Sequence, residues 1–175
     1  MKSFNGANDN LSRRDFLTTT GLGAGVSGLI GIGATRIAAA QGVTGTTTEE
    51  KEVLQVNRNF YSALQDLSLD RMDAVWVQED WVKCVHPGYN LLEGWDAIRE
   101  SWRDMFQNTD SMRVTAAVQF VRVQGSTAWV CCTEDTSSVS GGRTASGSAQ
   151  ATNIFERRNG AWFVVNHHSS PLLIP

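Results

Sequence analysis

From Thr48 onward, apolar residues recur at helical spacing: Val53, Val56, Phe60, Leu64 and Leu67, with Tyr61 beside them. Steps of three and four place them on one stripe, which predicts a helix with one face packed inward. Thr48 can cap its start, and Glu49, Glu50 and Glu52 suit the positive end of its dipole. Leu69 to Val77 predicts a short second helix carrying Met72, Val75 and Trp76. The period then falls to two. In the run Trp81-Val82-Lys83-Cys84-Val85-His86, the residues Val82, Cys84 and His86 share one face of a strand that Pro87-Gly88 ends. Helical spacing returns from Gly94 to Gln107, with Trp95, Ile98, Trp102 and Met105 or Phe106 as its apolar stripe.

Beyond Ser111 the pattern is that of strands. Met112–Gln124 and Thr127–Val139 flank the turn Gly125-Ser126. Gly141-Gly142 marks a loop. Ala145–Arg158 and Ala161–Ser170 flank Asn159-Gly160, the strongest short turn signal in the chain. Helices first and an antiparallel meander afterwards argue for an α+β domain.

The first forty residues follow neither pattern. Ser12-Arg13-Arg14-Asp15-Phe16-Leu17 precedes a weakly apolar run, Gly21 to Ile37, with six glycines, and Ala38-Ala39-Ala40 follows. Paired arginines, a mild apolar core and a small-residue cleavage site read as a twin-arginine export signal over residues 1–40. A bilayer span needs about 20 strongly apolar residues, and this run is too short and too rich in Gly, Ser and Thr. The expected product is a periplasmic or secreted protein with no stable membrane insertion after cleavage. Residues 41–48 form a Gly/Thr linker, and a single domain fills residues 49–172.

Composition narrows the partners. The leader holds four of the 15 basic and two of the 18 acidic side chains, leaving 11 against 16 and a net charge of −5. An acidic domain without a basic stripe is a poor nucleic-acid binder. The cysteines are Cys84, Cys131 and Cys132; an odd number leaves at least one unpaired, and buried free thiols are the expectation. Their spacing from the histidines resembles no structural zinc site. There is no phosphate loop and no nucleophile elbow.

Several runs together resemble the SnoaL-like branch of the nuclear-transport-factor-2-like superfamily. They are His86-Pro87-Gly88, Leu92-Glu93-Gly94-Trp95-Asp96-Ala97-Ile98-Arg99-Glu100-Ser101-Trp102, Ala151-Thr152-Asn153-Ile154-Phe155, Trp162 and His167-His168-Ser169-Ser170-Pro171. The resemblance covers about residues 50–172. It implies a cystatin-like cone: a curved antiparallel sheet wrapped around the N-terminal helices, a blind pocket in its mouth, and a homodimer through the outer sheet face. It does not imply one activity, because the superfamily holds isomerases, cyclases, dehydratases, an epoxide hydrolase, kinase association domains and scaffolds. No carboxylate here matches the base of ketosteroid isomerase by motif.

The candidate chemistry is therefore read from residue types. His86, at a strand end, suits proton donation or acceptance, or a hydrogen bond to a ligand. Glu134 shares a strand face with Ala128, Val130 and Cys132, where burial raises a carboxyl's pKa; its other reading is the partner of an arginine. His167 and His168 must point to opposite faces of the last strand. Strict alternation groups Phe163, Val165, His167 and Ser169 against Trp162, Val164, Asn166, His168 and Ser170. Similarity to kinase association domains implies that the His167 face lines the cavity. His86, Glu134 and His167 are the catalytic candidates. Tyr61, Trp76, Trp95, Trp102, Asn153 and His168 are the ligand-binding candidates, with the aromatics as walls for an apolar or ring-containing small molecule. Two histidines and Glu134 could form a metal trio, but no pair has a metal motif's spacing, so neither metal nor cofactor is expected. The reading is an exported small-molecule-binding cone with acid/base chemistry of isomerase, dehydratase or cyclase type. Its rival is a non-catalytic binding or dimeric assembly module.

Overall fold

Helix α1 runs Thr48–Gln65, and its start is a reciprocal capping box. Thr47 Oγ1 accepts from the Glu50 N–H at 3.1 Å, and the Glu50 carboxylate accepts from the Thr47 N–H at 2.8 Å. The cap is thus Thr47, one residue before the predicted Thr48. The computed structural model describes residues 46–172; the twin-arginine segment, its cleavage site and most of the linker lie outside the described residues.

The buried stripe of α1 is Val53, Asn57, Phe60, Tyr61 and Leu64, whereas Val56 and Leu67 are only partly buried. Helix α2, Leu69–Val75, ends two residues before the predicted Val77. The backbone there turns to the sheet: Trp76 bridges Val164, and the Val77 N–H donates to the Val164 carbonyl at 3.0 Å. Strands β1 (Lys83–Val85) and β2 (Leu92–Glu93) precede α3 (Trp95–Gln107). Then come β3 (Ser111–Gln124), β4 (Thr127–Ser140), β5 (Arg143–Arg158) and β6 (Ala161–Pro171).

The curved sheet has the order β2-β1-β6-β5-β4-β3. All pairs are antiparallel except β1 with β6, which is parallel and sets Cys84 beside His167. That pairing brings the strand leading into His86 onto the histidine end of β6, although α3 and strands β2 to β5 lie between them in the chain. Asn159 (φ 50°) and Gly160 (φ 85°) are both left-handed, as the turn that matches the twist of a hairpin requires. The core packs α1, α2 and α3 on the inner face through Phe60, Met72, Ile98, Trp102, Val130 and Phe155. No described helix is long and apolar enough to cross a membrane.

Two β-bulges reset the alternation. On β3 the pairing jumps from Val118 opposite Cys132 to Phe120 opposite Cys131, so Gln119 is the extra residue. On β6, Asn166 pairs with Ile154 but Val164 with Phe155, so Val165 is extra. Trp162 and Val164 therefore share the buried face with His167 and Ser169, while His168 and Ser170 are exposed. This corrects the strict alternation predicted for β6: one unpaired residue inverts every side chain beyond it.

Gly94 begins α3 with φ 82°, and a Cβ there would stand 3.2 Å from the Asp80 carbonyl oxygen. Gly88 has φ 81°, but nothing lies within 4 Å of its added Cβ. Gly94→Ala is therefore expected to cost about 1–3 kcal/mol, and Gly88→Ala the lower end of that range, in urea-unfolding midpoints.

Candidate active site

The inner faces of β4, β5 and β6 carry Glu134, Asn153, His167 and Ser169; α1 adds Asn57 and Tyr61. All six are buried. Buried polar groups need partners, and here they partner one another. Tyr61 donates its hydroxyl hydrogen to Glu134 Oε1 at 2.7 Å, and Ser169 donates to Glu134 Oε2. With that hydrogen spent, the Tyr61 oxygen accepts from Asn153 Nδ2 at 3.1 Å and faces the Cys132 thiol at 3.1 Å. Asn153 Nδ2 also donates to Asn57 Oδ1 at 2.8 Å.

The network assigns the tautomers. Asn153 uses its nitrogen on Asn57 and Tyr61, so its Oδ1 accepts from His167 Nδ1–H at 2.7 Å. His167 Nε2 is then a bare lone pair, 4.0 Å from Glu134 Oε1. Ser101 Oγ gives its one hydrogen to the Ile98 carbonyl at 2.7 Å, so it accepts from His86 Nε2–H at 3.0 Å. Cys84 Sγ stands 3.9 and 4.0 Å from the two nitrogens of His86, nearly equidistant, and lies against the ring rather than bonded to either atom.

Burial sets the charge states. Desolvation lowers His167 to about 3, with His168 repulsion adding to it. Desolvation, then repulsion from His167, lowers His86 to about 4 against partial compensation by Glu134. Glu134 moves the other way: burial raises it, opposed by the hydrogen bonds from Ser169 and Tyr61 and by His86. Burial also pushes up the Tyr61 hydroxyl and the Cys84 thiol, each reinforced by Glu134, and takes Cys132 to about 11. Burial thus acts on all three in the same sense, making either imidazole harder to protonate and the carboxyl harder to ionise.

Rings enclose the cluster. His86 meets Trp102 edge-on with centroids 4.4 Å apart, and His167 lies 6.2 Å from Trp102 and 5.0 Å from Phe60. The Trp102 indole N–H is buried without a partner among the described residues, as are those of Trp76 and Trp162. The structure thus brings together His86, Glu134, His167, Tyr61, Trp102 and Asn153. Trp76 and Trp95 instead pack on each other at 5.9 Å, within the core and outside the ring contacts of either histidine. His168 stands exposed on the convex face near Ser170. Neither tryptophan nor His168 touches the cluster; core packing claims the first two, and the β6 alternation turns His168 outward. The sequence reading passed over Asn57, Ser101 and Cys132 as partners. Only Asn57 left a signal, a polar residue four before Tyr61 inside an apolar stripe. The cysteines are free, and among the described residues no three His, Cys, Asp or Glu side chains are placed to hold a metal.

Two surface hollows border this interior. One, of about 230 Å³, lies between α1 and β3 and reaches Asn57 and Tyr61. The other, of about 460 Å³, is lined by Tyr89, Asp104 and Ser140 and reaches Ser101, the partner of His86.

The sequence pattern of one family, described as the SnoaL-like domain, matches residues 53–175. This chain belongs to that SnoaL-like family. A candidate dehydratase of the nuclear-transport-factor-2-like family from Streptomyces avermitilis is 31% identical, with TM-score 0.68 over 73% of this chain and 98% of that one. A candidate calcium/calmodulin-dependent protein kinase type II association domain from Thiobacillus denitrificans is 33% identical, with TM-score 0.58 over 67% of this chain and 93% of that one. Among curated proteins, the F-box protein SKIP8 of Arabidopsis thaliana is 31% identical over 124 residues, 71% of this chain. The chain spans about half of that relative's length, 51%.

The charge states of this SnoaL-like domain make its stability pH-dependent. Both histidines titrate lower in the folded state than the ordinary 6.5, so the unfolded chain takes up protons first as pH falls. Their contribution is complete above about pH 6.5 and is lost toward pH 4 and below. Glu134, raised in the folded state, acts oppositely: its burial penalty vanishes when it is protonated. Melting temperature is expected to fall from pH 6.5 to 4. His86→Gln should flatten the stability slope by about one proton, roughly 1.4 kcal/mol per pH unit, and Glu134→Gln should steepen it.

Proposed function

We propose that this SnoaL-like domain is an exported small-molecule-binding protein that performs acid/base chemistry, of isomerase, dehydratase or cyclase type, on an apolar or ring-containing ligand. The observation that carries the reading is the convergence of Glu134, His167, His86 and Tyr61 inside an aromatic interior. Glu134 is the proton acceptor and donor, held by the hydroxyls of Tyr61 and Ser169. A proton leaves one ligand atom for the carboxylate and returns to another, so no oxidant or co-reactant is needed. His167 Nε2 accepts a ligand hydroxyl, and the unpartnered Trp102 N–H donates to a ligand oxygen. His86, with its N–H given to Ser101, positions the ring wall rather than moving the proton. Export rests on the paired arginines Arg13 and Arg14 and the Ala38-Ala39-Ala40 site.

A second reading is a non-catalytic binding or homodimeric assembly module. It is favoured by the convex face, where Phe120 is 46% exposed and lies 6.3 Å from Trp129. Sedimentation of wild type against Phe120→Glu reports on that face.

The chemistry is tested by NMR exchange of α-protons into deuterium oxide from a panel of cyclic ketones. Wild type is expected to catalyse exchange for one or more of them. Glu134→Gln should slow it by about 100-fold or more, while Trp76→Phe leaves it unchanged. Binding should also show as a rise in melting temperature, since ligand at about 100 times Kd stabilises by about 2.7 kcal/mol. No exchange and no thermal shift from any compound would overturn the reading.

A further inference from the structure

The hollow between α1 and β3 is left unused by this chemistry. Leu54 from α1 and Val114, Ala116 and Val118 from β3 supply its apolar surface, and Asn57, Arg58, Tyr61, Ser62 and Gln65 of α1 supply its polar side. Ala116 pairs with Glu134 and Val118 with Cys132 across β3 and β4, so the hollow lies against the segment that carries the carboxylate. Asn57 and Tyr61 reach it from α1 while belonging to the buried network.

Two features select a ligand. Asn57 is 1% exposed, its Oδ1 is taken by Asn153, and its Nδ2 donates to none of the described residues. Arg58 is the one charged side chain lining the hollow. Its guanidinium bonds only the neutral Gln55 Oε1, at 2.6 and 3.3 Å, and it joins no ion pair among the described residues. The larger hollow beside Ser101 carries Asp104 as its charged residue and disfavours an anion.

A cation without a counter-ion among the described residues, an amide nitrogen that bonds none of them, and an apolar side formed by Leu54, Val114, Ala116 and Val118 together form the chemistry that recognises a carboxylate on an apolar body. We infer that the α1–β3 hollow binds a small apolar carboxylate, with Arg58 meeting the head group, the Asn57 amide as neutral donor and the hydrocarbon between Leu54, Val114 and Val118. This deepens the acid/base reading and rests on it for the use of the site, because a ligand there lies against Tyr61, which holds Glu134. Occupancy itself does not depend on that chemistry.

The probes are phenylacetate and its neutral counterpart 2-phenylethanol, titrated into the full-length protein and followed by NMR of the valine and alanine methyls. Phenylacetate is expected to bind about tenfold tighter or more. Arg58→Met, an exposed change that should leave the melting temperature in place, should bring the ratio to about one by weakening phenylacetate alone. Val118→Trp, which fills the hollow, should abolish both. Equal affinities in wild type, a ratio unchanged by Arg58→Met, or binding that survives Val118→Trp would each overturn the inference. Arg58-dependent phenylacetate binding without α-proton exchange from any ketone sinks the acid/base reading alone. Exchange from ketones without an Arg58-dependent preference sinks this inference alone.

Discussion

A carboxylate withdrawn from water must find its donors inside the protein, and Glu134 finds them in the hydroxyls of Tyr61 and Ser169. The rest of the interior follows from that requirement. Tyr61, having given its hydrogen away, must be met by donors, and Asn153 supplies one. Asn153 is thereby oriented, and its oxygen decides which nitrogen of His167 carries the proton. Glu134 thus ties α1 to β4 and β6 directly, and the Tyr61–Asn153 bond adds β5. The same bonds that hold the helix on the sheet leave one lone pair, on His167, turned toward the carboxylate.

The aromatic surroundings give this network its chemical character. Behind Phe60 and Trp102 burial penalises every charged form: it makes the His86 and His167 rings harder to protonate and Glu134 harder to ionise, against the pull of its two hydroxyl donors. The likeness to the Streptomyces avermitilis protein extends over nearly all of that chain, and the likeness to the kinase association domain is equally strong in sequence. One cone supports divergent uses, so it is the residues inside this cone, and not the cone, that carry the functional argument.

The outer and inner faces of the sheet divide their labour at the bulges. Gln119 and Val165 each insert a residue that the partner strand does not answer. Each insertion bends its strand and lets long strands follow a curved surface while keeping apolar or network-forming residues inward on both sides of the break. Phe120 is turned out by the first bulge to lie beside Trp129, and His168 is turned out beyond the second.

Much of the fold was legible because it rests on local periodicity. The stripes of α1 and α3, the Asn159-Gly160 hairpin and the alternation of Glu134 with Cys132 and of Asn153 with Phe155 are written in spacings of two, three and four. The grouping of His86, Glu134, His167, Tyr61 and Asn153 was legible as a set of residue types, though not as a circuit of bonds. What periodicity cannot contain is any event at one residue that depends on a partner strand. The Val165 bulge, the end of α2 where Val77 bonds to Val164, and the parallel pairing of β1 with β6 are decided by hydrogen bonds between distant segments. So are the pairing of Trp76 with Trp95 in the core and the choice of Asn57 and Ser101 as partners. The sequence by itself determined the apolar stripes of the helices and which reactive groups were available. The tertiary structure decided which of them meet, because only the closed sheet removes the water that would otherwise satisfy each group separately.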